Sequence, residues 1–191
     1  MEHIMLLIIA SILVSNVIFS RFLGLCPYFG VSKSISTSLG MGMAVIFVMT
    51  LASGITYFIQ KLLDHFGIAF LQTIVFILVI ASLVQLVEIV LKKISPALYQ
   101  ALGIYLPLIT TNCAILGVAI LNIQKSYHFV ETLIFGFGSA VGFTVALVIF
   151  AGVRERLRLS DIPKGMKGPA ISFVTAGIIA MAFMGFANLV K

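Results

Sequence analysis

The two cysteines of this chain are the residues best suited to metal or redox chemistry. Cys26 and Cys113 are the only cysteines among 191 residues, and helix-breaking residues surround both of them. These helix-breaking residues are Gly24, Pro27, Gly30, Pro107, Asn112 and Gly117. From the pattern alone three interpretations stay open: two small buried hydrophobic side chains, a mutual disulfide, or two thiolate ligands of a metal.

Metal ligation by these two cysteines alone is incomplete. Two thiolates fill only half of the four-cysteine shell of an iron–sulfur cluster. A second chain therefore has to supply the other half, or the site lies at a dimer interface. The cysteines are 87 residues apart, so no local motif holds them together, and the fold has to bring them to one place.

The composition of the chain indicates a membrane protein. Hydrophobic residues make up 61% of the sequence and charged residues 9%, and the mean hydropathy is +1.22. A soluble monomer of this composition could not cover its surface with polar groups. The net charge of +6 comes from few, dispersed basic residues and no soluble domain accompanies it, so we predict that the chain binds no nucleic acid.

Six apolar runs are long enough to cross a bilayer, which needs about 20 residues. The runs cover residues 4–22, 38–59, 68–91, 98–122, 129–152 and 169–189. They lack the period-2 alternation of barrel strands, so we predict an all-α integral membrane protein with six transmembrane helices. No linker divides the runs, and residues 1–191 are expected to form a single transmembrane domain.

The basic residues predict the orientation of the chain in the membrane. Nine of the twelve Lys and Arg residues fall in the connections between spans 1 and 2, 3 and 4, and 5 and 6. The positive-inside rule assigns these three loops to the cytosol, so both termini are expected outside. The basic cluster at residues 154–158 is interpreted as part of this topology signal, and docking of a cytosolic partner protein is the alternative.

Two matching patterns indicate an internal duplication. The pattern C-x-x-x-G-V begins at Cys26 and again at Cys113, and G-x-G-x-A-V-x-F begins at Gly40 and again at Gly136. Each copy holds three spans, so the second copy (about 93–191) is inserted upside down relative to the first (about 1–92). Inverted repeats place functional sites on broken helices at the repeat interface, so helices 1 and 4, with one cysteine each, are predicted to be broken. The small residues Gly40 and Ala44, and Gly136 and Ala140, are expected to serve close helix packing.

Six segments of the chain carry a resemblance to a known family. The segments are 22–33 (FLGLCPYFGVSK), 95–99 (SPALY), 102–114 (LGIYLPLITTNCA), 127–138 (YHFVETLIFGFG), 154–156 (RER) and 178–186 (IIAMAFMGF). They resemble the Rnf/Nqr family of membrane subunits, and within it the branch that the A subunits of Rnf complexes form. The similarity covers nearly the whole chain, and the Cys26-Pro and Gly30 pattern is closer to this branch than to the E subunit of the Na⁺-translocating NADH:quinone reductase.

The resemblance implies a protein that is not catalytic alone, in a complex of the bacterial cytoplasmic (inner) membrane. Such complexes pass electrons between ferredoxin and NAD and couple this transfer to export of Na⁺ or H⁺. The protein pairs with its paralogue, the Rnf E subunit, in opposite orientation. Each of the two supplies two cysteines to one intramembrane [2Fe-2S] cluster, and Cys26 and Cys113 match those positions.

The resemblance also sets the expected cofactors and partners. A mononuclear iron is the weaker alternative to the binuclear cluster, and no flavin is expected on this chain. Other Rnf subunits, which contain flavin and iron–sulfur groups, complete the complex. Judged on its residues alone, the chain has an alternative function of a different class, namely that of a non-redox inverted-repeat transporter of a small solute or ion.

Four further polar residues are candidates for an ion path or for the surroundings of the cluster. Glu88 lies on the third span, where an intramembrane carboxylate is costly and often functional. Pairing with Lys92, one turn further on, is the alternative for this carboxylate. Thr110, Thr111 and Asn112 precede the second cysteine. They can coordinate Na⁺, hydrogen-bond the cluster or satisfy the backbone of a broken helix.

Overall fold

The computed structural model describes residues 8, 11–12, 16–94, 106–161, 163, 165–166 and 168–185. Every regular element within these ranges is helical, so the predicted all-α class is confirmed for them. A 3₁₀ turn at Ala69–Leu71 joins two of the long helices. The α-helices are α1 (Val17–Arg21), α2 (Leu25–Val31), α3 (Ile35–Phe66), α4 (Gln72–Ile94), α5 (Leu106–Thr110), α6 (Cys113–Gln124), α7 (Phe129–Arg158) and α8 (Pro169–Met184).

Four helical stretches of the described residues are long and apolar enough to cross a membrane. They are Ile35–Phe66, Ala69–Val90, Pro107–Gln124 and Phe129–Arg158, which match the predicted second to fifth spans. Helix α8 is a shorter apolar helix within the predicted sixth span. Most of the predicted first span, residues 98–105 of the fourth and 186–189 of the sixth lie outside the described residues. The total of six spans therefore stays a prediction.

Local sequence sets both ends of α3. The Ser34 hydroxyl accepts a hydrogen bond from the Thr37 N–H at 3.4 Å, which satisfies one unpaired donor of the first turn. At the other end Gly67 adopts a left-handed φ of 69°, and its N–H bonds back to the Asp64 carbonyl at 3.3 Å. This glycine C-cap lets the chain reverse into the 3₁₀ turn and α4.

Helices α3 and α7 form the centre of the fold and make its most extensive helix–helix contact. A Cβ atom on Gly136 of α7 would lie 2.9 Å from the Cβ of Ser53 on α3, and one on Gly42 of α3 would overlap Thr144 of α7. The close packing predicted for Gly136 is thus confirmed, and Gly42, which was not part of that prediction, packs as closely. These contacts also make the two helices antiparallel. They are matching elements of the two sequence copies, so their directions agree with an inverted repeat.

The outer faces of several helices are apolar. On α4, Ile74, Leu78 and Ile89 are more than half exposed, and so are Phe173 and Met181 on α8. A helix that is apolar all round and little buried in its own chain is typical of a membrane span. The apolar surface of these helices is therefore available for lipid or for another protein.

Candidate functional site

The two cysteine segments meet inside the fold. The backbone N–H of Gly24 donates a hydrogen bond to the Sγ of Cys113, and the two atoms are 2.9 Å apart. The Cα of Gly24 lies at most about 7.6 Å from that of Cys26, since consecutive Cα atoms are about 3.8 Å apart. The fold therefore brings together two segments that are 89 residues apart in sequence.

The first segment owes its shape to two left-handed residues. Helix α1 ends at Phe22, which has φ of 55°, and Gly24 with φ of 82° immediately precedes α2. A Cβ atom on Gly24 would lie 2.7 Å from the Phe143 ring and 3.1 Å from the Cβ of Ala114. Glycine is thus required here both for the backbone conformation and for the close approach to α6 and α7. Cys26 follows as the second residue of α2.

The second segment is a helix interrupted just before its cysteine. Helix α5 ends at Thr110, and α6 begins at Cys113. The Asn112 side chain is buried, and its Oδ1 accepts a hydrogen bond from the Ala114 N–H at 3.0 Å as the N-cap of α6. Each cysteine thus lies in the first turn of a helix, where the unpaired N–H groups and the helix dipole favour a negatively charged sulfur.

The polar residues before Cys113 differ in whether their side chains already have a hydrogen-bond partner. The hydroxyl of Thr111 donates to the Pro107 carbonyl at 2.9 Å, so this side chain satisfies the backbone of the interrupted helix. The Nδ2 of Asn112 is buried and has no partner among the described residues. Thr110 is half-buried and does have a partner. Of the three predicted polar groups, the Asn112 amide is therefore the one with unused donors next to the cysteine.

The two cysteines differ in exposure and are not joined to each other. Cys26 is exposed and Cys113 is half-buried, and both are free thiols, so the disulfide interpretation is wrong. The exposure of Cys26 does not fit the interpretation as a small buried hydrophobic side chain. Phe22, four residues earlier, is 61% exposed, and Gly30 is exposed as well. The surface around Cys26 is therefore open to a neighbouring molecule.

The described part of the chain does not assemble a complete set of metal ligands. Within the ranges that the structure describes, no three side chains of His, Cys, Asp and Glu come together. The candidate site consists of the two free thiols and the backbone N–H of Gly24, which already donates to one of the two sulfurs.

Arg154 of α7 anchors the short helix that carries Cys26. Its Nη1 donates to the Phe29 carbonyl at 2.9 Å and to the Ser32 hydroxyl at 2.8 Å. One turn earlier on α7, the Phe150 ring stacks on the ring of Tyr28, with centroids 4.2 Å apart and an angle of 13° between the ring planes. The sequence interpretation of the 154–158 cluster as a topology signal therefore missed a C-terminal cap on α2.

Comparison with known proteins decides the family. The family described as "Rnf-Nqr subunit, membrane protein" matches residues 4–190. This chain belongs to the Rnf-Nqr family. The A subunit of the ion-translocating oxidoreductase complex of Syntrophotalea carbinolica is 59% identical over 191 residues, which cover 100% of this chain and 99% of the relative.

Two further members of the Rnf-Nqr family are similar over nearly their whole length. The A subunit of the Na(+)-translocating ferredoxin:NAD(+) oxidoreductase complex of Acetobacterium woodii is 58% identical over 184 residues, with 96% of each chain covered. The A subunit of the ion-translocating oxidoreductase complex of Vibrio cholerae is 52% identical over 192 residues and covers 100% of both chains. The predicted resemblance to the branch of the Rnf A subunits is thereby confirmed.

Glu88, a site residue predicted from the sequence of this Rnf-Nqr member, lies on the helix next to the interrupted span. Helix α4, which carries it, packs against both α5 and α6. The Glu88 side chain is half-buried, and both it and Lys92 have interaction partners. Glu88 thus lies on a helix that contacts both parts of the interrupted span, and its role in an ion path stays a prediction.

Proposed function

We propose that this chain is a membrane component of an ion-translocating ferredoxin:NAD⁺ oxidoreductase complex and is not catalytic alone. The names of relatives at 58% and 59% identity over nearly full length support this assignment. The apolar helices support a place in the bilayer. Coupling of electron transfer to movement of Na⁺ or H⁺ would follow from membership of such a complex.

We propose further that Cys26 and Cys113 supply two of the four ligands of a [2Fe-2S] cluster. The paralogous Rnf E subunit, in opposite orientation, would supply the other two, and flavin would be held by other members of the complex. The observation that carries this proposal is the 2.9 Å hydrogen bond from the Gly24 N–H to the Cys113 Sγ. It unites the two cysteine segments and gives one sulfur a backbone donor, as a cluster ligand requires.

The residues of this chain would hold and tune such a site. When bound, a [2Fe-2S] cluster supplies one-electron transfer, and its potential depends on hydrogen bonds to sulfur and on burial. The Gly24 N–H stabilises negative charge on the Cys113 sulfur, and the helix N-terminus at Cys113 does the same. Arg154 fixes α2, so the exposed Cys26 is presented toward the paralogue in a set position.

The proposed orientation puts the Arg154 end of α7 at the cytosolic face of the inner membrane and the turn between α3 and α4 outside. Charge supports this assignment, because Lys33, Lys92, Lys93 and Arg154 lie at helix ends on the proposed cytosolic side. The positive-inside rule relates such an excess of basic residues to the cytosol.

The test is the iron content of the whole complex, purified without oxygen. Cys26→Ala and Cys113→Ala complexes should each lose about two iron atoms and two labile sulfides, together with the spectrum of one binuclear cluster. Thr50→Val is the matched control, because the Thr50 hydroxyl bonds within α3 at 2.7 Å to Ile46, away from the cysteines. Unchanged iron in either cysteine variant would refute ligation. A non-redox transporter would instead bind its solute and hold no iron on these cysteines.

A further inference from the structure

A second polar region lies at the opposite end of α3 from Arg154. A cavity of about 440 Å³, open on one side, is bounded by the C-terminal half of α3, the end of α6 and the start of α7. Its lining includes Thr56, Gln60, Asp64, Asn122 and Thr132. None of these residues belongs to the cysteine site. The sequence analysis did not single them out, although an Asn inside the apolar run 98–122 was a visible signal.

Several polar atoms that line this cavity have no protein partner. Asn122 is 6% exposed, and neither its Oδ1 nor its Nδ2 has a hydrogen-bond partner in the described part of the chain. The hydroxyl of Thr132, which is 1% exposed, and the Oε1 of Gln60 are equally unpartnered there. Buried polar groups without a partner are strongly unfavourable, so these atoms need a ligand or ordered water.

The chemistry of the lining favours a hard cation. Amide and hydroxyl oxygens with a nearby carboxylate are the ligands that alkali and alkaline-earth cations prefer. The carboxylate is that of Asp64, which accepts a hydrogen bond from the Gln60 Nε2 at 2.8 Å. Lys61 also lines the cavity, but its ammonium lies over the Tyr57 ring, 4.9 Å from the ring centre. Among the described residues of the lining, Asp64 is the single carboxylate, and Lys61 and His128 are the basic side chains, so the cavity suits a singly charged ion held weakly enough to leave again.

The cavity and the cysteine site lie at different heights along the same two helices. Asn122 follows Cys113 by nine residues on α6, a distance of about 13 Å along the helix axis. On α7, Thr132 and Ser139 are two turns apart on one face, about 10 Å along the axis. The Ser139 hydroxyl is fully buried and has no partner among the described residues. Unpartnered oxygens therefore continue from the cavity in the direction of the cysteines.

We infer that this cavity binds a monovalent metal cation, Na⁺, through the side-chain oxygens of Asn122, Thr132 and Gln60. The cavity would be the ion-binding site nearest the outer face of the membrane. The Ser139 hydroxyl would be the next oxygen along the ion path toward the cysteines. The part played in transport rests on the proposed function of the complex. Binding of Na⁺ by the cavity does not depend on the cluster and can be measured separately.

The test is equilibrium binding of radioactive Na⁺ to the whole purified complex. Thr132→Val preserves shape and removes one oxygen, so the dissociation constant of one Na⁺ should rise about tenfold, as for loss of one good polar contact. Thr50→Val, the same exchange on α3 outside the cavity, should bind as the unmodified complex does. Asn122→Asp adds a negative charge and should tighten binding by about tenfold, so the proposal stays testable if Thr132→Val fails to assemble.

Equal Na⁺ binding by the unmodified, Thr132→Val and Asn122→Asp complexes would overturn the inference. The absence of any saturable Na⁺ binding would overturn it too, because the cavity would then hold water only. Neither result bears on the proposed cluster ligation, which is refuted instead if the cysteine variants keep all their iron. Conversely, a complex without a cluster can still show the predicted change in Na⁺ affinity.

Discussion

Gly24 combines a left-handed backbone, a hydrogen bond to a cysteine sulfur and close packing against two helices. Its φ is 82°, its N–H lies 2.9 Å from the Cys113 Sγ, and a Cβ would lie 2.7 Å from the Phe143 ring. The cysteines would provide the ligand atoms of the proposed cluster, but at the residue scale this glycine determines how near the two segments come. Any side chain at this position has to move α2 away from α6.

Gly24→Ala is expected to destabilise the complex and release iron, and Gly67→Ala is its control. Gly67 has a similar φ of 69° but nothing within 4 Å of an added Cβ. Backbone strain alone should cost about 1 kcal/mol at Gly67, whereas strain plus steric overlap should cost about 3 kcal/mol at Gly24. Thermal unfolding and iron content of the two complexes measure the difference. Equal stability loss with full iron in both would show that close packing at Gly24 does not shape the site.

At the scale of elements, α2 depends on contacts from outside itself. It is only seven residues long, too short to be stable as an isolated helix. Arg154 donates to the Phe29 carbonyl and to the Ser32 hydroxyl at the C-terminal end of α2, and the Phe150 ring packs on Tyr28. The element that presents Cys26 is thus held by α7, a helix of the other sequence copy.

Arg154→Lys separates the capping role of Arg154 from a topology role. A lysine keeps the positive charge but not the two-donor geometry of the guanidinium. We expect Arg154→Lys and Arg154→Ala to lower stability by about 1–3 kcal/mol and to broaden the spectrum of the cluster. Arg156→Ala, at an exposed position on the same helix end, should change stability by less than about 0.5 kcal/mol. If the Arg154→Lys complex has the same stability and cluster spectrum as the unmodified complex, the positive charge alone accounts for the role of Arg154.

Hydrophobicity predicted where α3 and α7 cross the membrane but not where these helices end. The predicted spans 38–59 and 129–152 lie within helices Ile35–Phe66 and Phe129–Arg158. The extra turns are polar: Gln60, Lys61 and Asp64 extend α3, and Arg154 to Arg158 extend α7. A hydropathy pattern reports the length of the apolar run, whereas caps such as Gly67 decide where the backbone hydrogen bonds stop.

The sequence predicted part of the cysteine site through its repeated pattern and its helix-breaking residues. The duplicated pattern marks Cys26 and Cys113 as equivalent, and breakers beside them indicate interrupted helices. The contact of Gly24 with Cys113 joins residues 89 apart, and no local pattern encodes such a contact. The cavity at Asn122 was missed because unpartnered polar atoms become visible only when the packing around them is known.

At the scale of the whole molecule, the centre consists of matching helices that run in opposite directions. Helices α3 and α7 expose their two ends at opposite faces, with Arg154 and the C-terminal end of α2 toward one face and the Asn122 cavity toward the other. If the complex moves an ion, the two faces have different tasks. Their assignment to cytosol and exterior is therefore a prediction about the whole molecule.

Cysteine substitutions at two exposed apolar residues test the orientation, and each position serves as the control for the other. Phe70, between α3 and α4, and Leu159, just after α7, are each 84% exposed. We expect a membrane-impermeant maleimide to label Phe70→Cys in intact cells, because this turn faces outward. The same reagent should label Leu159→Cys only after the membrane is opened. The reverse pattern would invert the proposed topology, and labelling of both from outside would contradict the antiparallel arrangement.

The hydrogen bond between Gly24 and Cys113 also has a consequence for biosynthesis. The second partner leaves the ribosome 89 residues after the first, a delay of roughly 5 to 20 s at ordinary rates of translation. During this interval Cys26 is already in the nascent chain, but its neighbour across the site has not been made. The cysteine pair therefore exists only after Cys113 has been synthesised. Delivery of the proposed cluster to the site can begin only then, and a chain arrested before Cys113 presents a lone thiol.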